Sequence, residues 1–145
     1  MNYNLTQKLI SRFPYIRTKA NIGLQWGCVC DCGDGWYNLI YELFEKIESM
    51  YKTKNISLDK FTVVQIKEKY GELRVYTTTN LQEVHRLIDK YERLSSSICE
   101  ECGGKGVLHS KHGYLKTLCG ECGIKQGYTK INRKVKEINK GIIPL

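Results

Sequence analysis

Four cysteines stand in two matching steps, Cys99-Glu100-Glu101-Cys102-Gly103 and Cys119-Gly120-Glu121-Cys122-Gly123, separated by sixteen residues. The chemistry this spacing suits is thiolate ligation of a metal ion. A tight turn over two residues brings two sulfurs to one edge of a tetrahedron. A glycine after the second cysteine can take positive φ, which lets backbone N–H groups point at sulfur. Two such turns complete a four-thiolate shell. The expected cofactor is one structural Zn2+ on Cys99, Cys102, Cys119 and Cys122; a rubredoxin-like iron site uses the same spacing and is the alternative. Four thiolates leave no open position for water, so the ion is expected to be structural and not catalytic.

The other residues with chemical potential are less organised. Cys28, Cys30 and Cys32 make a poor chelate in an extended stretch; one or two of them are read as small buried hydrophobes, with a second metal site or a redox switch as the alternative. His85 is expected to flank a core. His109, His112 and Asn132 invite comparison with metal-dependent nucleases built on a hairpin and helix, but their spacing does not reproduce that motif. No phosphate loop, Ser-His-Asp order or paired-acid motif is visible. The chain is therefore read as a non-enzyme, with a nuclease as an alternative.

The elements that must position the cysteines follow from apolar periodicity. Leu5, Leu9, Ile10 and Phe13 recur at helical spacing, and Pro14 ends the run. A glycine-rich loop holding Trp26 follows. Trp36, Leu39, Ile40, Leu43, Phe44, Ile47 and Met50 then form one helical stripe, with Asp34 placed as its N-cap. From Phe61 to Thr79 strand formers dominate, broken by Tyr70-Gly71-Glu72, which predicts a β-hairpin. Asn80 and Glu83 suggest a capping box for a helix burying Leu81, Val84, Leu87, Ile88, Tyr91 and Leu94. Ser95-Ser96-Ser97 is the expected boundary between an α+β body (1–95) and a metal-held unit (96–145). In that unit, Val107–His109 and Leu115–Leu118 predict a small hairpin between the knuckles. Gly123 and Gly127 suggest that the final helix starts late, near Thr129–Asn139, which leans toward a ribbon-type finger over a treble clef. The fold class is α+β: helices packed on a hairpin, a four-cysteine finger and a final basic helix.

Charge and composition narrow the partner classes. The net charge is +8, and residues 96–145 hold nine Lys/Arg against four Asp/Glu. A Zn2+ held by four thiolates offsets part of this, so charge alone argues only weakly for nucleic acid. Lys130, Arg133 and Lys134 on the final helix are the candidate nucleic-acid contacts. A second surface combines Trp26, Lys67, Lys69, Tyr70, Arg74 and Tyr76, residue types prominent in protein-interface hot spots. No apolar run is long enough to span a bilayer, and Met1 to Arg12 lacks the apolar block of a secretory signal. The expected location is cytoplasmic.

Three stretches carry a family likeness: Cys32-Gly33-Asp34-Gly35-Trp36-Tyr37-Asn38-Leu39-Ile40, the segment from Val64 to Tyr76, and Cys99–Gly103 together with Lys116-Thr117-Leu118-Cys119. On these the chain resembles a group of small, uncharacterised zinc-finger proteins encoded by tailed bacteriophages. The likeness covers most of the chain up to Cys122, and the basic segment beyond it is an addition here. Members commonly carry a second glycine where this chain has Glu72. The resemblance implies a phage accessory protein acting in the host cytoplasm, a non-enzymatic binder that inhibits or redirects a host macromolecule, with an antiviral defence component as the expected target. The rival reading is a nucleic-acid-binding regulator using the basic helix.

Overall fold

The computed structural model describes residues 1–16 and 29–132. Trp26, Cys28, Arg133 and Lys134 fall outside the described residues.

Helix α1 (Tyr3–Arg12) is capped by Asn2, whose side-chain oxygen accepts the Leu5 N–H at 2.9 Å. Pro14 lacks an N–H and begins a separate short turn, Pro14–Ile16. Leu9, Phe13 and Ile16 are fully buried. Strand β1 (Cys30–Asp31) leads to a single turn, Asp34–Trp36, that feeds helix α2 (Tyr37–Thr53). The apolar stripe of α2 is the centre of the body. Trp36, Ile40, Leu43, Phe44 and Ile47 are fully buried, and Leu39 and Tyr51 nearly so. Asp34 departs from its expected role. It makes no cap bond to α2; its carboxylate instead accepts the Asn2 backbone N–H at 2.6 Å and the Asn2 side-chain N–H at 2.8 Å, tying the loop to the start of α1.

The hairpin forms as the strand formers predict: β2 (Val63–Lys69) pairs antiparallel with β3 (Glu72–Thr77). Its two-residue turn has φ of 53° at Tyr70 and 81° at Gly71, the left-handed pair that matches strand twist. Strand β1 pairs in parallel with β2, giving the order β1-β2-β3. Asp31 is exposed while Cys30 and Cys32 are buried, which agrees with the reading of those two cysteines as small hydrophobes.

Helix α3 (Gln82–Ser95) lies along β3. The capping box does not form. Leu81 is the cap position, with no side-chain cap bond; Thr79 Oγ1 accepts the Leu81 N–H at 3.2 Å and Glu83 pairs with Lys54 at 2.9 Å. Val84, Ile88 and Tyr91 face the core, but Leu94, expected inside, is exposed because the last turn of α3 presents Ser95 there instead. Ser95 Oγ accepts the Leu73 N–H at 2.9 Å and Glu92 accepts the Val75 N–H at 3.0 Å. Two open donors of an edge strand are thereby closed by side chains of the neighbouring helix.

The remaining elements form a second small sheet, β5-β4-β6: β4 (Val107–Lys111), β5 (Tyr114–Leu118) and β6 (Thr129–Lys130). Between β5 and β6 sits the short helix α4 (Gly120–Gln126), which ends at Gly127 with φ 72°. Two expectations are corrected here. Gly123 is inside a helix and not ahead of one. Thr129 and Lys130 do not begin a helix, because their backbones pair with Ser110 and His109; residues 133–139 of the expected helix lie outside the described residues. Among the described residues no helix is long and apolar enough to cross a membrane.

Leu43 is the cleanest probe of this core. Leu43→Ala should lower unfolding free energy by about 2–5 kcal/mol, the usual range for a fully buried leucine, measured by urea denaturation of the metal-loaded protein. A cost of a few tenths would place the side chain outside the core.

Candidate metal centre

Each knuckle is built by local backbone bonds. In the first, Gly103 N–H reaches Cys99 O at 2.9 Å and Cys99 N–H reaches Gly104 O at 2.7 Å. Gly103 takes φ 79°, a conformation glycine adopts without steric cost. The turn directs the Gly104 N–H to Cys102 Sγ at 3.4 Å. In the second, Cys119 is the N-cap of α4 and its sulfur accepts the Cys122 N–H at 3.4 Å. The β4–β5 hairpin, turning through His112-Gly113 at φ 49° and 84°, brings the two knuckles face to face.

The result is one cluster. The four Sγ atoms lie within 4.8 Å of one another, and Cys102 Sγ is 3.7 Å from Cys119 Sγ. A metal at ~2.3 Å from four tetrahedral sulfurs requires S···S edges of about 3.8 Å. The donor set therefore fits a single metal ion. Its electrostatics point the same way. The Cys122 N–H holds the Cys119 thiol down at about 7, while hydrogen bonding to Cys119 and burial push Cys122 up to about 12. The Gly104 N–H lowers Cys102, but its neighbour Cys99 and desolvation outweigh that and raise it. Thiols this close resist joint ionisation, and a bound metal cation would allow four thiolates to coexist.

The cluster is fastened to the body by residues that the spacing of the cysteines does not reveal. Gly35 N–H donates to Glu100 O at 2.7 Å, Gly33 N–H to Glu100 Oε1 at 3.0 Å, and the Trp36 indole N–H to Ile98 O at 2.9 Å. A Cβ on Gly35 would lie 2.2 Å from Cys99 O and 2.5 Å from Gly103 N. On the opposite side, Thr117 Oγ1 donates to Gly71 O at 2.6 Å, joining β5 to the turn of the first hairpin. The visible signal was the pair of glycines flanking Asp34 just ahead of a large aromatic. Gly123 has a related reason to be glycine, since a Cβ there would sit 2.7 Å from the buried His109 ring. His109 Nδ1 donates to Val107 O at 2.8 Å.

The proposed partner surface is partly assembled. Lys67 is opposite Arg74, Gln65 opposite Tyr76 and Lys69 opposite Glu72, so Lys67, Lys69, Arg74 and Tyr76 share one sheet face, with Tyr70 at the turn. Tyr70 is 65% exposed and Tyr76 42%. Lys67 and Lys69 each hold an ammonium 5.7 Å from the ring centroids of Tyr76 and Tyr70 respectively. Arg74 is half-buried and bound within the fold, 3.0 Å from Glu72 and 3.8 Å from Glu92. Lys130 is exposed on β6, and His112 is exposed at the β4–β5 turn. His85 is exposed on α3, with Nε2 3.0 Å from Thr79 O. No family model, curated protein or solved structure matches the chain.

Two outcomes test the centre. Protein purified without added metal should carry one equivalent by elemental analysis, and Cys102→Ser should lose it; full retention would refute the ligand set. Gly35→Ala should destabilise the protein by several kcal/mol, roughly the scale of a forced steric misfit, because every close atom belongs to backbone. A change of a few tenths in denaturation would show that the loop and knuckle do not depend on this approach.

Proposed function

We propose that the four thiolates hold one structural Zn2+ in a treble-clef-type finger, and that the protein is a non-enzymatic binding module whose partner is a protein. The observation that carries this reading is the closed four-sulfur cluster hydrogen-bonded through Glu100 and Ile98 into the body loop. An ion so enclosed has no free position for substrate, and its effect is to lock two parts of the chain together. Zinc is the metal that best suits four thiolates in a redox-silent structural role. A treble clef is supported by the order of elements: a knuckle, a hairpin, and a helix whose first turn carries the second pair of ligands. Zinc binding to such peptides contributes about 10–16 kcal/mol, enough to order a segment with few large apolar side chains.

The resemblance to phage-encoded zinc-finger proteins supplies the setting. In it, the module binds a host protein in the host cytoplasm and inhibits or redirects it, an antiviral defence component being the target we favour. Tyr70 and Tyr76 are the anchors we assign to contact, since both are exposed aromatics already organised by neighbouring lysines. Arg74 is less suited to that role, because its charge is engaged by two carboxylates.

Affinity capture from host lysate with the zinc-loaded protein should retain a specific protein. Tyr70→Ala with Tyr76→Ala should weaken capture at least tenfold, about 1.4 kcal/mol, with little change in melting temperature. A specific complex with nucleic acid whose affinity falls steeply with salt, and which is unaffected by the tyrosine changes, would overturn this reading in favour of a nucleic-acid regulator.

A further inference from the structure

A cleft of about 320 Å³ opens between the Cys32–Gly33 stretch, the end of β2 and the first knuckle. Its lining carries Asp31, Glu68, Glu100 and Glu101 against one cation, Lys116. Lys116 Nζ is 3.4 Å from both Glu101 Oε1 and Gln126 Oε1, and its charge also acts on Glu100, opposing the upward push of burial on that carboxyl. Glu68 Oε1 accepts the Gly71 N–H at 2.7 Å. Glu100 is the unusual member. It is only 4% exposed, one oxygen accepts the Gly33 N–H, and Oε2 is buried with no hydrogen-bond partner. A buried carboxylate oxygen without a donor is unfavourable. The adjacent four-thiolate centre, at net −2 when it holds a divalent ion, adds to the negative potential.

We propose that this cleft receives a guanidinium group, an arginine side chain presented by the protein partner. The identification of its source rests on the reading of the partner as a protein. Charge complementarity calls for a cation that donates hydrogen bonds. A bare metal ion is the poorer occupant, because among the described residues only the four cysteines gather three or more ligand atoms at metal-binding separation. The carboxylates are instead distributed around the cleft. Guanidinium offers five N–H donors in a rigid plane and bridges separated acceptors, whereas an ammonium is a compact point charge. Arginine is also prominent among the residues that anchor protein interfaces. Glu100 and Glu68, on different elements, would be the two principal acceptors.

The test is a titration of the full-length, 15N-labelled, zinc-loaded protein with N-acetyl-arginine amide, followed at backbone amides by NMR. N-acetyl-lysine amide and MnCl2 are run in parallel. Saturable shifts at Gly33 and Glu100 are expected with the arginine probe, at least tenfold tighter than with the lysine probe. Glu100→Gln keeps an acceptor for the Gly33 N–H and removes the charge; it should weaken the arginine probe about tenfold while zinc content is unchanged. If that variant fails to fold, Glu68→Gln supplies the same test from β2. The proposal is overturned by absent or unsaturable shifts, by equal affinity for the lysine probe, or by saturable Mn2+ broadening centred on the cleft that the arginine probe does not displace. Binding of the probe without capture of any host protein would refute the protein-partner reading and sustain the cleft. Capture of a host protein with no response to the probe would refute the cleft alone.

Discussion

The approach of Gly35 to the first knuckle is the constraint on which the rest of the structure depends. Its backbone comes so near that a Cβ would lie 2.2 Å from Cys99 O, and its N–H is spent on Glu100 O. Both the close approach and the hydrogen bond are made to a knuckle whose turn has Gly103 at positive φ. A metal held by these four cysteines would therefore organise more than its own loop. The turn from Cys99 to Cys102 presents carbonyls at Ile98, Cys99 and Glu100 to the segment that leads into α2. Trp36, the largest fully buried side chain among the described residues, is fixed from the same side through its indole N–H. A buried indole N–H left without an acceptor is costly, so the apolar core of the body and the polar backbone of the knuckle satisfy each other.

A second seam makes the attachment rigid. Thr117, fully buried, binds Gly71 O, and a Cβ on Gly71 would lie 2.7 Å from Leu108 Cδ1 and close to the backbone of Lys116 and Thr117. Two hairpin regions are thus joined at points far apart in sequence, while the Glu100 N–H reaches Thr117 O across the finger. Contacts on both sides of the cluster resist rotation about either one. The body also closes its own exposed edge, using Ser95 and Glu92 to take the N–H groups of Leu73 and Val75. Burial raises the Glu92 carboxyl, opposed by the Val75 N–H and by Arg74. Arg74 consequently belongs to the support of this edge as much as to the outer sheet face.

What was legible in the sequence was whatever rests on periodicity or on a spacing with a single geometric outcome. The α2 stripe, the Tyr70-Gly71 hairpin turn and the convergence of four cysteines are of this kind. Each is decided within about twenty residues by side-chain direction or turn stereochemistry. The errors came where a local motif competed with a partner distant in sequence. Asp34 is a good cap residue, but Asn2 offers it two donors. Glu83 is a good third member of a capping box, but Lys54 takes it. Thr129 and Lys130 fit a helical pattern, but the open edge of β4 takes their backbone. Gly123 read as a helix breaker because its real cause, the ring of His109 against its Cα, is an approach between β4 and α4 that no local pattern encodes. The docking role of Gly33 and Gly35 was hidden for the same reason.

These distant partners bear on how the proposed binding of another macromolecule would work. Association is weakened by every side chain that must be ordered on contact. On the outer face of the first hairpin that ordering is partly complete before any partner arrives. Lys67 and Lys69 rest near the rings of Tyr76 and Tyr70, the turn is set by its two positive φ values, and Gly71 is anchored from behind by Thr117. The anchor is a residue of the strand that ends at Cys119. The four-cysteine cluster is thus connected to the exposed tyrosines through one strand, one hydroxyl and one carbonyl. On the proposed reading an ion would not need to touch a partner to affect binding, because the proposed face is built on backbone joined to the cysteine cluster.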